Sequence, residues 1–485
     1  MLVSVVTVTV TAKYFGVSIE KDSWVLASAI TTTIIMALWG PLNEIFRAKF
    51  VYIKEQEGKE MAIKKTSSLF GFVFWGTLFL GLIIILFSNH LSSFVSSKIG
   101  PEAIPIVATL LVALVPNMLL TELSNLSISI FNAFEIYYIP EIVNFFTAII
   151  GIVVIVCFAP FGGIYALVIS TYISASILLF VIVYFQKKKG LLTIWSHILG
   201  FKMKDAWLFV TFSLPFFFPY FVGQLNFIGE KYLAGLLGAG QVSILDYSRQ
   251  FITILQTVMS SVLTTVMVPM LARAYIKGEK ESFSSIFNEN INVCLGILTC
   301  AFAFIVGGAD PLCDFFFNRG KVSPTELQTI VSLTRLFSIA FIGVLFYIMF
   351  GMAMLASDHR KQYAILGVST QLMVFFLNVL GTYFYNSIFA FPIAFGIGHI
   401  VSAIIMMTYF SDIVNIAFIK QKGIALIGAF IPAMIIFVTN SAISINSVFL
   451  LILDTCILVV CLPFTAIMLG FNPKQIFLKL KTKYL

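Results

Sequence analysis

Between residues 241 and 272 the chain sets Asp246, Arg249, Gln250, Thr253, Gln256, Thr257, Ser260, Ser261 and Thr264 at helical intervals inside an otherwise apolar run. Steps of three and four residues gather them on one face of a helix. The types point to binding chemistry and not to bond breaking. Amides and hydroxyls donate and accept hydrogen bonds, and arginine offers a planar fork of donors suited to phosphate or carboxylate. Asp246 and Arg249 are three apart, the spacing of an ion pair on a helix. A charge deep in a span costs at least ~2.5 kcal/mol unless it faces a cavity or a partner. A polar seam between two helices needs only one or two such groups, so the length of the stripe favours the wall of a water-filled cavity.

Three further charges, Glu122, Glu44 and Arg335, read as intramembrane. Glu122, with Asn117 and Asn125 nearby, lies too deep to reach water along its own side chain. A carboxylate there holds a proton or cation, or answers an arginine across a cavity. Glu44 and Arg47 stand close to one end of their run, where snorkelling to the interface is as good an account as a site. Arg335 lies near the outer end of another run. Glu230 and Lys231 read as interfacial and solvated, and His399, alone on an apolar face, as packed. Pro215 and Pro219 are expected to bend their helix. Six cysteines (157, 294, 300, 313, 456 and 461) lack metal-ligand spacing and read as small buried side chains, with neither zinc nor a disulfide framework implied.

The elements that must carry these residues are membrane spans. With 60% apolar residues, 11% charged and 51 Phe in 485 positions, water cannot be the main solvent. Apolar runs recur near 2–19, 24–45, 69–88, 104–132, 137–158, 163–185, 206–228, 241–272, 290–307, 331–356, 362–385, 387–410, 423–440 and 447–469. Each approaches the ~20 residues that cross a bilayer. The first reads as a retained span, since no charged leader and cleavage site mark a signal peptide. The net charge of +8 could suggest nucleic acid, but its placement does not. Alternate connections hold 22 Lys and Arg, and the opposite set holds six (Lys13, Lys21, Lys98, Lys231, Arg319, Lys321). That bias puts both termini in the cytoplasm and makes the number of spans even, fourteen in all. The basic residues serve as topological signals and contacts to anionic lipid.

The chain also repeats itself. YIKEQEGKE around Tyr52 is echoed by YIKGEKES around Tyr275, a shift of 223 residues. The same shift brings Pro101 to Pro324 and the turn at 132–140 to 355–363. Six spans per copy is an even number, so the copies share one orientation in the membrane. The expected fold is an all-α integral membrane protein of about fourteen transmembrane helices: an N-lobe (1–205), a C-lobe in parallel repeat (206–422), and two appended spans with a basic tail (423–485), around a central cavity. Two lobes about a cavity suit alternating access.

These residues resemble the MviN/MurJ-like lipid II flippase family of the multidrug/oligosaccharidyl-lipid/polysaccharide exporter superfamily. The stretches that carry the resemblance are KYFGVSIEKDSWVLA from Lys13, GPLNEIFRAKF from Gly40, QLNFIGEKYLAGLLGAGQVSILDYSRQF from Gln224, VPMLARAY from Val268 and FFFNRGKVSPTELQ from Phe315. The resemblance implies a cytoplasmic-membrane transporter of an undecaprenyl-diphosphate-linked sugar, with a cationic cavity for the diphosphate. It also places Asp22 at an acidic position of the family. This chain departs from the pattern in three places. A Val, Thr and Ser run from Val3 to Thr11 stands where family members carry arginines, Ile34 and Ile35 replace an arginine pair, and Gln250 replaces the eighth-span arginine. Arg249 is one position earlier, about 100° around the helix.

The expected function is flipping of lipid II or a related lipid-linked oligosaccharide across the bacterial inner membrane, with Arg249 and Arg335 toward the phosphates. The expected cavity set is Arg249, Asp246, Gln250, Gln256, Arg335, Glu122, Asp22, Glu44 and Arg47. No cofactor is implied beyond a coupling ion, Na+ or H+, or the membrane potential. The partners implied are the glycan lipid, the bilayer and proteins of cell-envelope biosynthesis. The alternative is a cation-coupled multidrug exporter, in which Glu122 and Asp246 bind the coupling ion. A membrane glycosyltransferase would need a substantial extramembrane surface; the longest outer loop, 308–330, has Asp310 and Asp314 but no nucleotide or metal motif. The chain therefore reads as no enzyme. A structural scaffold is the remaining reading if the arginine replacements abolish transport.

Overall fold

The computed structural model describes residues 2–191, 201–410, 416–443 and 445–468. The basic tail from 469 and residues 192–200 of the basic linker lie outside that set. All regular structure among the described residues is helical. The first half contains α1 (Leu2–Phe15), α2 (Ile19–Glu57), α3 (Lys59–Ser96), α4 (Ala103–Ala133), α5 (Tyr138–Gly162), α6 (Tyr165–Lys188) and α7 (Met203–Leu236). There follow α8 (Gln241–Val262), a π turn (Leu263–Met267), α9 (Val268–Ile276), α10 (Lys280–Phe302), a second π turn (Ala303–Gly307) and α11 (Ala309–Phe317). The chain continues through α12 (Pro324–Ala356), α13 (Arg360–Tyr385), α14 (Ala390–Thr408), α15 (Ile416–Ala442) and α16 (Ser447–Met468).

Helices are what a hydrocarbon solvent demands, because backbone groups there must be satisfied within the segment. Among the described residues, twelve helical segments are long and apolar enough to cross a bilayer. The other two expected spans are helical but different in character. Helix α1, with 14 residues, reaches only about 21 Å at 1.5 Å per residue. Its Thr7, Thr9 and Thr11 hydroxyls donate to the carbonyls four residues back, which lets a threonine run sit in an apolar environment. The run 241–276 carries the polar stripe and is interrupted by the first π turn. Pro269 lies just beyond that turn, after Val268, and its missing N–H removes a bond to the carbonyl four residues upstream. Pro215 and Pro219, by contrast, lie within one continuous helix. Large apolar side chains such as Leu86 (67% exposed) and Phe180 (74%) face outward, as in a protein whose surroundings are lipid.

The chain divides into two compact units, Met1–Ser243 and Ile244–Leu485. In the first, α2 packs on α3, α4 and α7, and α4 also contacts α6. Phe46 of α2 stacks on Phe209 of α7 with ring centroids 5.7 Å apart. Tyr232 stacks on Phe94 of α3 at 5.0 Å. These contacts draw α7 into the first unit, although the second copy of the sequence repeat begins at its start. They also bury Glu230 and Lys231 (3% and 5% exposed), where the sequence alone suggests solvated residues. Gly58 joins α2 to α3 at φ 86°, a conformation that favours glycine.

In the second unit α12 packs on α14, which packs on α13. Thr370 of α13 donates to Ser402 of α14 at 2.6 Å. His399 is buried, its Nδ1 2.8 Å from the Phe395 carbonyl and its ring 5.1 Å from Tyr347. The appended helices close against the second π turn: a Cβ on Gly307 would lie 2.4 Å from the carbonyl oxygen of Ala433, so only glycine permits that approach. Helix α12 starts with a capping box in which the Ser323 side chain takes the Glu326 N–H and Glu326 takes the Ser323 N–H. The element boundaries follow the repeat. Shifted by 223 residues, α4 and α5 fall within two residues of the limits of α12 and α13.

Candidate functional site

The stripe lies on helix α8 and, at Thr264, on the π turn that follows it. Thr253, Thr257 and Thr264 are exposed, while Asp246, Arg249, Gln250, Gln256 and Ser260 are part-buried. The side chain of Ser261 lies outside the described residues. The hydroxyls of Thr253, Thr257 and Thr264 donate to carbonyls of their own helix four residues back. Their donors are thus satisfied, while their oxygens remain able to accept from a ligand. Thr334 of α12 donates to the Ser248 carbonyl at 3.4 Å on the buried side of α8.

Arg249 is the cation of this face. Its guanidinium carbon lies 4.9 Å from the ring centroid of Phe337 on α12 and 4.8 Å from that of Phe395 on α14. Such contacts use the ring face and compensate a charge held in an apolar wall. They also fix the plane of the guanidinium, which favours in-plane, bidentate donation to an oxyanion. The sequence shows the arginine but not its aromatic supports, which come from helices about 90 and 150 positions away.

A second polar group forms within the first unit. Glu122, fully buried on α4, accepts from Asn43 Nδ2 at 3.2 Å and from Asn125 Nδ2 at 3.1 Å, one donor to each carboxylate oxygen. Beside it, the Tyr220 hydroxyl of α7 donates to Glu44 at 3.0 Å. Together Asn43, Glu44, Asn125, Ser129 and Tyr220 line a cavity of about 290 Å³. Sequence reasoning found both carboxylates but neither Asn43 nor Tyr220. Asn43 is adjacent to Glu44, and an amide next to an acid inside an apolar run is a legible signal. Asn117, expected near Glu122, has its side-chain oxygen buried without a partner. Arg47 is not part of this group. It is exposed, 4.0 Å from Glu135 and stacked over Tyr137 at 5.5 Å.

Asp22 and Arg335 are each held by partners of their own. Asp22 is fully buried and accepts the Gly240 N–H at 2.5 Å, the Ser243 N–H at 2.8 Å and the Ser243 hydroxyl at 2.5 Å. It is an anion at the N-terminus of α8, where unpaired N–H groups and the helix dipole favour negative charge. Arg335 pairs with Asp310, donates from Nε to the Val306 carbonyl of the second π turn at 3.1 Å, and lies 4.9 Å from the Phe437 ring. The π turn thereby gains a donor for one of its displaced carbonyls. Asp454 on α16 is fully buried and accepts from Asn440 at 3.2 Å. It is an acid alone in the apolar run 447–469, a signal visible in the sequence that the expected cavity set does not include. No cluster of three or more His, Cys, Asp or Glu residues suited to a metal occurs among the described residues.

The family model described as "Lipid II flippase MurJ" matches residues 11–470. Among known proteins, the chain is 24% identical over 340 residues to "Probable lipid II flippase MurJ" of Borreliella burgdorferi, covering 70% of this chain and 66% of that protein. It is 19% identical over 344 residues to "Lipid II flippase MurJ" of Burkholderia cenocepacia, covering 70% and 67%. The chain thus spans about two thirds of the length of these relatives. Among solved structures, "Lipid II flippase MurJ, inward closed conformation" superposes with a TM-score of 0.79 at 18% identity, covering 96% of this chain and 95% of the other. An inward-facing multidrug resistance MATE family transporter of the MOP superfamily gives 0.72 at 15% identity, covering 84% and 93%. At such identities the likeness is one of fold.

Proposed function

The chain belongs to the lipid II flippase MurJ family, and on that premise we propose that it flips lipid II, or a closely related undecaprenyl-diphosphate-linked glycan, across the bacterial cytoplasmic membrane by alternating access. The observation that carries the reading is Arg249, a permanent cation supported on two aromatic faces at the head of a polar stripe. A diphosphate fits that fork, and Gln250, Thr253, Gln256 and Thr257 offer hydrogen bonds to a sugar and peptide headgroup. The prenyl tail stays in lipid. Alternating access re-exposes the headgroup on the outer side, with both termini in the cytoplasm. Nothing in this cycle makes or breaks a covalent bond, so the protein needs binding groups and no catalytic centre. A coupling ion or the membrane potential drives the return step, and proteins of cell-envelope synthesis hand over the substrate.

The alternative, a cation-coupled exporter, draws on the buried Glu122 cluster and on the MATE-like fold. The family match over residues 11–470 favours the flippase. The discriminating experiment is rescue of a bacterium depleted of its own lipid II flippase. Growth is expected with the wild-type chain and not with Arg249→Ala at equal membrane abundance. Failure of the wild-type chain, together with ion-dependent efflux of organic cations, would transfer the assignment to the exporter.

A further inference from the structure

The last helix pair contains a buried acid for which the transport reading has no use. Asp454 is the only charged residue of α16 and is fully buried. Its Oδ2 accepts from Asn440 Nδ2 of α15 at 3.2 Å. A Cβ on Gly308 would stand 2.7 Å from that same oxygen and 2.9 Å from the Phe304 carbonyl oxygen, so the carboxylate lies directly against the second π turn. The other carboxylate oxygen, Oδ1, is buried without a hydrogen-bond partner, and so is Asn440 Oδ1.

The neighbouring charges do not supply what is missing. Arg335 is paired with Asp310, and Asp314 takes the Ser447 hydroxyl. Lys422, toward the other end of α15, donates to Asn292 at 2.6 Å. Among the described residues the site therefore has two buried acceptor oxygens and no donor for either. A buried ionised carboxylate left in this condition is strongly unfavourable, and an added donor or cation would satisfy both oxygens at once.

We propose that Asp454 and Asn440, closed by the end of the second π turn and Gly308 after it, form a monovalent cation site in the appended helix pair, taking a proton or a small alkali cation such as Na+. Oxygen-only coordination suits a hard cation, and a proton on Oδ1 would donate where only acceptors now stand. Occupancy ties α15 to α16 and both to the π turn. The site is independent of the headgroup reading and requires no lipid substrate.

The test is thermal melting of the purified full chain in detergent without substrate. NaCl is compared with choline chloride at alkaline pH, and alkaline with mildly acidic pH in choline. The wild type is expected to melt higher with Na+ if the site takes the alkali cation, or higher on acidification alone if it takes the proton. Asp454→Asn should lose that response and melt near the occupied wild type. Asn440→Ala, which keeps the carboxylate, should shift the midpoint of the response by about tenfold, equivalent to ~1.4 kcal/mol. Absence of both responses in the wild type, the same response in Asp454→Asn, or an unmoved midpoint in Asn440→Ala would each overturn the proposal.

Discussion

Replacing Asp22 by alanine should weaken the protein more than any other single polar truncation near the start of α8. The carboxylate accepts the Gly240 N–H, the Ser243 N–H and the Ser243 hydroxyl, all at full burial. The hydroxyl has a fallback, because serines in this chain rotate to carbonyls of their own helix, as Ser248 does to Ile244 at 2.6 Å. The two backbone donors have none. Hydrogen bonds to a charged group are worth ~1.5–3 kcal/mol each, so losing both costs about 3–6 kcal/mol. Relief of the desolvation borne by the buried carboxylate offsets part of this, leaving a net loss of about 2–4 kcal/mol. Asp22→Asn keeps one acceptor oxygen but turns an amide toward N–H donors, and should fall between. The measurement is thermal melting of the purified variants in one detergent, read as a shift relative to wild type. An Asp22→Ala protein melting with the wild type would refute the reasoning, since those donors would then have found partners elsewhere.

Three further outcomes follow from named contacts. Gly307→Ala places a Cβ against the Ala433 backbone and should destabilise the appended helix pair by about 1–3 kcal/mol, visible as a lowered melting temperature. Glu122→Ala strands the part-buried amide donors of Asn43 and Asn125 and should cost about 1–3 kcal/mol, whereas Glu122→Gln should lose less; the comparison is again by melting. Arg249→Lys keeps the charge but loses the planar fork and its stacking on Phe337 and Phe395, so it should accumulate normally yet rescue a flippase-depleted strain less well than wild type.

The spans were legible because their signal is local. Twenty apolar residues in succession announce a hydrocarbon solvent. Helix ends were less legible. Helix α2 runs on to Glu57, well past its apolar run, because YIKEQE is itself good helix-forming sequence and nothing stops it before Gly58. The stripe on α8 emerged from periodicity alone. Its aromatic supports did not, because Phe337 and Phe395 belong to apolar runs in which no single Phe stands out. The hydrogen bond from Gly240 to Asp22 joins residues 218 positions apart, a separation no local pattern encodes. Asp310 and Arg335 were both visible, one as a loop acid and the other as a span arginine, but their pairing depends on how α11 folds back on α12. Asp454, a lone acid in an apolar run, is legible in the sequence, but its contact with Asn440 and the π turn is not.

The central claim is tested most directly by reconstituting the purified chain in proteoliposomes loaded with labelled lipid II and following the headgroup's appearance on the opposite leaflet. Translocation is predicted above that of protein-free vesicles, with Arg249→Ala reduced at least tenfold at equal incorporation, the loss of ~1.4 kcal/mol or more of charge-assisted binding. Lipid II crossing no faster than in empty vesicles, or an Arg249→Ala protein as fast as the wild type, would contradict the account.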